Sequence, residues 1–217
     1  MKVLLINGSP HPKGCTYRAL KEITVELYQA GIEFEIENVG KDLVRGCSGC
    51  GMCKKSGDGH CVYTSDRVNE IIDKMKYSDA LIVGSPVYYA NVAGSMRSFL
   101  DRMFYAGDCF KNKPAAAIVN CRRGGASAAF DQLNHYFLIS NMIVVGSQYW
   151  NMTHGKNPDE VEKDLEGLQT MRTLGKNMAW LLKCLKAGNE NGIRYPRLEE
   201  KLRTNFISQA DMEYEEY

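Results

Sequence analysis

Five short apolar runs, each followed by a longer stretch of helical spacing, constrain this chain more than any other feature. They are KVLLING (2–8), EFEIENV (33–39), DALIVGS (79–85), AAAIVNC (115–121) and MIVVGSQ (142–148). Three of them are almost continuously apolar, as strands covered on both faces should be. Residues 16–30, 66–77, 93–105, 125–139 and 158–187 place apolar side chains at helical intervals. Asp159, Glu160 and Glu162 load the start of the last stretch with the charge that a helix dipole favours there. Alternating strands and helices pair in parallel through crossovers. The expected fold is therefore α/β: a doubly wound, five-stranded parallel sheet of order 2-1-3-4-5 with helices on both faces. Ligands of such a sheet gather beyond the carboxyl ends of its central strands.

The chain has 217 residues, 44% of them hydrophobic and 24% charged, which suits one core. Residues 1–187 are expected to form that domain, interrupted by a cysteine-rich loop at 45–65. AGNENG (187–192) should end the last helix, leaving 188–217 as a C-terminal arm that closes in the acidic DMEYEEY. This tail is expected as a solvated end, or docked on its own body or a second subunit. The apolar run at the N-terminus is too short for a signal peptide, and none approaches the roughly 20 residues of a membrane span. A cytoplasmic protein is expected, and a net charge of +1 gives no reason to expect nucleic acid or a membrane as partner.

The segment NGSPHPKGCT (7–16) follows the first strand with small, turn-forming residues and opens a helix at Thr16. Loop amides and the helix N-terminus then face one spot, which makes an anion site, the alternative being a plain strand-to-helix turn. It lacks the Gly-Lys-Ser/Thr ending of a P-loop and the spacing of a dinucleotide fingerprint. Ser9, Thr16 and the Cys15 backbone are the expected phosphate ligands, with Lys13 or His11 as added charge. A phosphorylation receiver shares the strand order, but it needs carboxylates where this chain has Asn7, Gly8 and Ser9.

After the third strand, SPVYY exposes Tyr88 and Tyr89 beside a proline-stiffened backbone, and such rings can flank a flat cofactor or simply pack half-buried. After the fourth, NCRRGGAS (120–127) opens a helix behind Gly124 and Gly125. Arg122 and Arg123 are either an attraction for a phosphate of NAD(P)H or a solvated pair. Trp150 is either the cover of a substrate pocket or a lid over the sheet edge. His135 and His154 receive no role, and Cys109, Cys121 and Cys184 are expected to pack.

On INGSPHPKGCT, CSGCGMC, SPVYYANVAGSMRSFLDR and RRGG, the chain resembles the NAD(P)H-dependent FMN reductases and iron–sulfur flavoproteins of flavodoxin-like fold. The resemblance implies FMN as cofactor, NAD(P)H as electron donor and a homodimer or higher homo-oligomer. By matched position, Ser9, His11, Gly14, Cys15 and Thr16 would take the FMN phosphate. Pro86, Val87, Tyr88, Tyr89 and Asn91 would face the ring, and Asn120, Arg123, Gly124 and Gly125 would close its far side. Cys15 departs from the Asn of many relatives, so only a backbone contact carries over there.

Cys47, Cys50, Cys53 and Cys61 crowd three thiols at ferredoxin-like spacing and add a fourth after a glycine-containing turn. Structural zinc usually draws on two separated cysteine pairs, so the tight triple favours iron–sulfur. Reduced free thiols, zinc and a disulfide remain the alternatives. In the resembling iron–sulfur flavoproteins this compact motif binds a [4Fe–4S] cluster that exchanges electrons with FMN. The expected function is thus an FMN-dependent oxidoreductase passing electrons from NAD(P)H to a flavin, quinone, other small molecule or redox protein. The rival is a non-enzymatic FMN/iron–sulfur carrier between redox proteins, although small carriers of this fold are shorter and strongly acidic.

Overall fold

The computed structural model describes residues 1–200 and Leu202, so the acidic C-terminal end lies outside the described residues. Strands β1 (Lys2–Asn7), β2 (Glu33–Asn38), β3 (Ala80–Tyr88), β5 (Pro114–Cys121) and β6 (Ile143–Val144) make a parallel path of order β2-β1-β3-β5-β6. That is the expected doubly wound order. Two short strands join it: β4 (Asn91–Val92), antiparallel to the end of β3, and β7 (Met152–His154), parallel to the end of β5.

Alternation along the strands separates two cores. Val3, Leu5, Ile82 and Ile118 face α1 (Cys15–Gln29) and α7 (Leu165–Glu190), packing with Leu20, Ile23, Leu174 and Met178. Leu4, Ile6, Leu81 and Val83 face the other way, onto α3 (Val68–Lys76), α4 (Gly94–Ala106) and α5 (Ala126–Ile139). Both faces of the central strands are therefore dry, which is why their sequences carry so few polar residues.

The fifth apolar run differs from expectation. Instead of one strand over 142–148, the chain pairs at Ile143–Val144, leaves the sheet, and returns as β7 beside Val119–Cys121. The excursion carries Tyr149 and Trp150 outward, and Asn151 closes the gap behind them. Its Nδ2 donates to the Ala117 carbonyl at 3.1 Å, and its own carbonyl accepts from the Val119 amide at 3.0 Å. The expected helix over 158–187 is also two helices, α6 (Pro158–Lys163) and α7. Asp164 separates them, because its carboxylate caps α7 at the Gly167 amide (3.0 Å) and accepts from the His154 amide (2.6 Å). The second helix runs on to Glu190, through the AGN of the expected break. The cysteine loop contains one short helix that the sequence pattern did not show, α2 (Met52–Ser56), bounded by Gly51 and Gly57 in the left-handed region.

Candidate functional site

The loop between β1 and α1 is shaped by asparagines. Asn7 Oδ1 accepts from the Ser9 amide at 3.0 Å, and its Nδ2 donates to the Pro12 carbonyl at 3.2 Å. Asn38 Nδ2 reaches over from β2 to the Ser9 carbonyl at 2.9 Å. Gly40 presses so close to this turn that a Cβ there would lie 2.3 Å from the Gly8 and Ser9 backbone. The loop is thereby fixed by the protein itself.

At its end α1 starts behind Gly14 with no side-chain cap and no acidic residue in its first turn. The first amides of a helix have no partner within it and carry partial positive charge. Thr16 sits in that first turn, 1% exposed, and its buried Oγ1 has no hydrogen-bond partner among the described residues. A buried hydroxyl without a partner costs about 1–3 kcal/mol, so the arrangement calls for an acceptor from outside the chain. The Cys15 thiol is engaged within the chain: it donates to the Gly155 carbonyl at 3.5 Å, and burial pushes its pKa up.

These residues line one cavity of about 660 Å³, within the range of small-molecule sites. Ser9, His11, Gly14, Cys15 and Thr16 form one wall, Pro86, Val87 and Tyr88 a second, and Asn120 lies between them. Arg122, Lys156 and Asn157 complete the rim. Lys156 and Asn157 were not singled out by the sequence; the signal for this turn is Asn157 followed by Pro158, an N-cap with proline in the first helical turn. Asn120 is partly committed elsewhere, since its Nδ2 donates to the carbonyl and Oγ1 of Thr153 at 3.1 and 3.0 Å.

Arg123, Gly124 and Gly125 open instead on a neighbouring cavity of about 400 Å³, walled by Tyr149, Trp150, His154 and Asp164. The two arginines thus part company, one to each cavity. Trp150 is 55% exposed and tilts against Tyr149 with ring centroids 4.9 Å apart. His154, given no role from sequence, has its Nδ1 3.6 Å from the Asp164 carboxylate. Tyr89 stands fully exposed at the tip of a two-residue turn between β3 and β4, next to Ala90, with φ of 52° and 58°. Asn91 holds that tip to α5, accepting from Gln132 Nε2 at 2.7 Å.

A family model described as NADPH-dependent FMN reductase matches residues 1–157. The chain belongs to the NADPH-dependent FMN reductase family. Its relatives include an iron–sulfur flavoprotein of Methanocaldococcus jannaschii, 37% identical over 195 residues, spanning 86% of this chain and 100% of the relative. A second iron–sulfur flavoprotein of that organism is 30% identical and spans 79% of this chain and 92% of its own length. Among solved structures, a flavodoxin from the domain Archaea superposes with a TM-score of 0.58 at 16% identity, covering 84% of this chain and 99% of the other. The reductase is thus a flavin oxidoreductase of flavodoxin-like fold, from a family whose flavin is FMN.

In this reductase the four loop cysteines line a single crevice beside α4, together with Tyr63, Arg102 and Tyr105. Among the described residues, no three His, Cys, Asp or Glu side chains converge as they would around one metal ion. A [4Fe–4S] cluster is held by four Cys thiolates, and the four cysteines around this crevice supply that donor set. Cys47 and Cys50 are exposed, and Cys53 and Cys61 are half-buried. The Met52 amide and the Ser48 hydroxyl facing Cys50 hold its thiol below the usual range, whereas burial pushes Cys53 up.

All eight cysteines are free. Cys121 is buried and Cys109 half-buried, as packing residues are; Cys184 is exposed on α7 and packs nothing into the core. Arg102, Tyr105 and Ala106 of α4 line the crevice, while its first residue, Gly94, lies beside Tyr88 and Tyr89. Arg102 is eight positions along the helix from Gly94, about 12 Å of rise. No helix among the described residues is long and apolar enough to cross a membrane.

Proposed function

We propose that the protein takes electrons from NAD(P)H and delivers them to a small molecule or a redox protein, using FMN in the larger cavity and a [4Fe–4S] cluster in the cysteine crevice. The unpartnered Thr16 hydroxyl at the uncapped start of α1 carries this reading, because it is the acceptor-seeking group a flavin phosphate would satisfy. Ser9, His11, Gly14 and the Cys15 amide complete that cradle, and Arg122 adds charge at the rim. Pro86, Val87 and Tyr88 supply the wall for the ring, with Tyr89 and Asn91 at its edge. Asn120 lies between the two walls, while Arg123, Gly124 and Gly125 border the neighbouring cavity and would reach the ring only where it extends that way.

FMN supplies acceptance of hydride from the reduced nicotinamide, so the chain needs no acid–base dyad. The protein's own work is to hold the phosphate, orient the ring between its two loops and leave one face open to partners. Cys47, Cys50, Cys53 and Cys61 would hold the cluster, which supplies single-electron transfer. A cytoplasmic homodimer is part of the same proposal.

Anaerobic mixing of the purified holoprotein with NADPH or NADH tests the reading. Direct bleaching of the flavin bands supports it. Reduction only through a second redox protein contradicts it in favour of an electron carrier. Negligible iron and acid-labile sulfide in protein purified without air removes the cluster.

A further inference from the structure

One guanidinium ties together the two ends of the cysteine loop. Arg102 is 1% exposed, in the second half of α4, and ion-pairs with Asp66, whose side chain is 5% exposed. One carboxylate satisfies its charge, yet Arg102 makes three more contacts, all with the loop. Nη1 donates to the Arg45 carbonyl at 3.3 Å, Nη2 to the Tyr63 carbonyl at 2.8 Å, and Nε to Cys61 Sγ at 3.2 Å. Two guanidinium groups approach the Tyr63 ring, that of Arg45 at 4.6 Å and that of Arg102 at 5.4 Å from its centroid. Asn69 fixes Cys61 from the other side, accepting from its amide and donating to its carbonyl, each at 2.8 Å.

The four thiols are therefore not equivalent. Cys61 is clamped through backbone and sulfur, whereas Cys47 and Cys50 stand exposed on a segment punctuated by Gly49 and Gly51. A buried guanidinium is expensive to desolvate, and apolar residues could fill the space at lower cost. A sulfur is also a weak acceptor unless it carries charge, as it does when it ligates iron.

We propose that Arg102 is the positioning residue of the cysteine centre. It pre-folds the loop around Cys61 and gives that one ligand an N–H···S hydrogen bond which raises the reduction potential of the cluster. The inference rests on the cluster reading above and adds the asymmetry: one fixed ligand, with Cys47 and Cys50 free to close around the cluster. Hydrogen bonds to ligand sulfur favour the more negative, reduced state, and this sets the sign.

The test compares wild type with Arg102→Lys, purified without air. Lysine keeps a cation opposite Asp66 but cannot make all the contacts. The expected result is full FMN content, with either a more negative cluster potential or a marked loss of iron and sulfide per chain. In cluster-free protein, amide exchange over residues 45–66 should quicken roughly tenfold, as expected for lost hydrogen bonds to a charged group. If Arg102→Lys does not accumulate as a folded flavoprotein, the neutral pair Arg102→Gln with Asp66→Asn leaves no unpaired buried charge and is read by the same outcomes. A wild type that carries a cluster, matched by its variant in both cluster content and potential, overturns the role of Arg102 alone. A wild type without iron and sulfide overturns the cluster reading itself.

Discussion

Gly125, at the start of α5, stands so close to Ala90, at the tip of the β3–β4 hairpin, that a Cβ on Gly125 would lie 2.6 Å from the Ala90 Cα. The contact joins the loop after β3 to the loop after β5. The hairpin needs such a brace. Tyr89 and Ala90 both occupy the left-handed region, the geometry of a turn that normally takes Asn-Gly, and each carries strain there.

Gly125→Ala combines a clash with a residue forced to φ of 85°. We expect a loss of about 1–3 kcal/mol of stability from the backbone strain. FMN affinity should weaken as the hairpin is displaced. Chemical denaturation and a flavin titration of the same variant measure the two effects.

Thr16 offers a cleaner separation of fold from binding. Its hydroxyl bonds nothing among the described residues, so Thr16→Val should leave thermal stability unchanged or slightly higher. FMN should bind at least tenfold more weakly, because a hydrogen bond to a charged group is worth about 1.5–3 kcal/mol. Thr16→Asp should abolish flavin retention by placing a carboxylate against the phosphate. Fluorescence titration of apoprotein with FMN reads all three proteins.

The α/β architecture was legible in the sequence because both faces of β1, β3 and β5 are buried, which leaves apolar runs such as VLLI and AAAIV. The phosphate loop was legible for a related reason, since its small residues sit between a clear strand and a clear helix. The hairpin was not, because Tyr89-Ala90 lacks the Gly or Asn that marks a tight turn. Arg102 was hidden too: an arginine between Met96, Phe99 and Met103 reads as the polar face of a helix until the cysteine loop folds over it. Lys156 belongs to a turn more than a hundred residues from the phosphate loop, and only the fold brings them together.

The broken fifth strand makes its own prediction. Asn151 is 1% exposed and its side chain satisfies the Ala117 carbonyl where the ladder is interrupted. Asn151→Ala should cost about 1–3 kcal/mol by leaving that carbonyl unpaired. Urea denaturation checks the loss, and phosphate-side FMN contacts should survive it.

Acid should weaken the edge of the sheet. Hydrogen bonds from Lys2 and then Lys74 hold the Glu35 carboxyl down, from 4.5 to about 2. A depressed carboxylate stabilises the fold above its unfolded pKa and loses that contribution as pH falls through the folded value. Wild type should therefore exceed Glu35→Gln in melting temperature at pH 6, by a margin that shrinks below pH 4.5 and closes near pH 2. A small margin is expected, because the group is partly exposed.

The most direct measurement is a titration of flavin-free protein with FMN, followed by flavin fluorescence and checked against riboflavin. The expected result is one FMN per chain and much weaker binding of riboflavin, which lacks the phosphate that α1 and Thr16 would hold. Equal binding of the two flavins, or a folded protein that takes up neither, would contradict it.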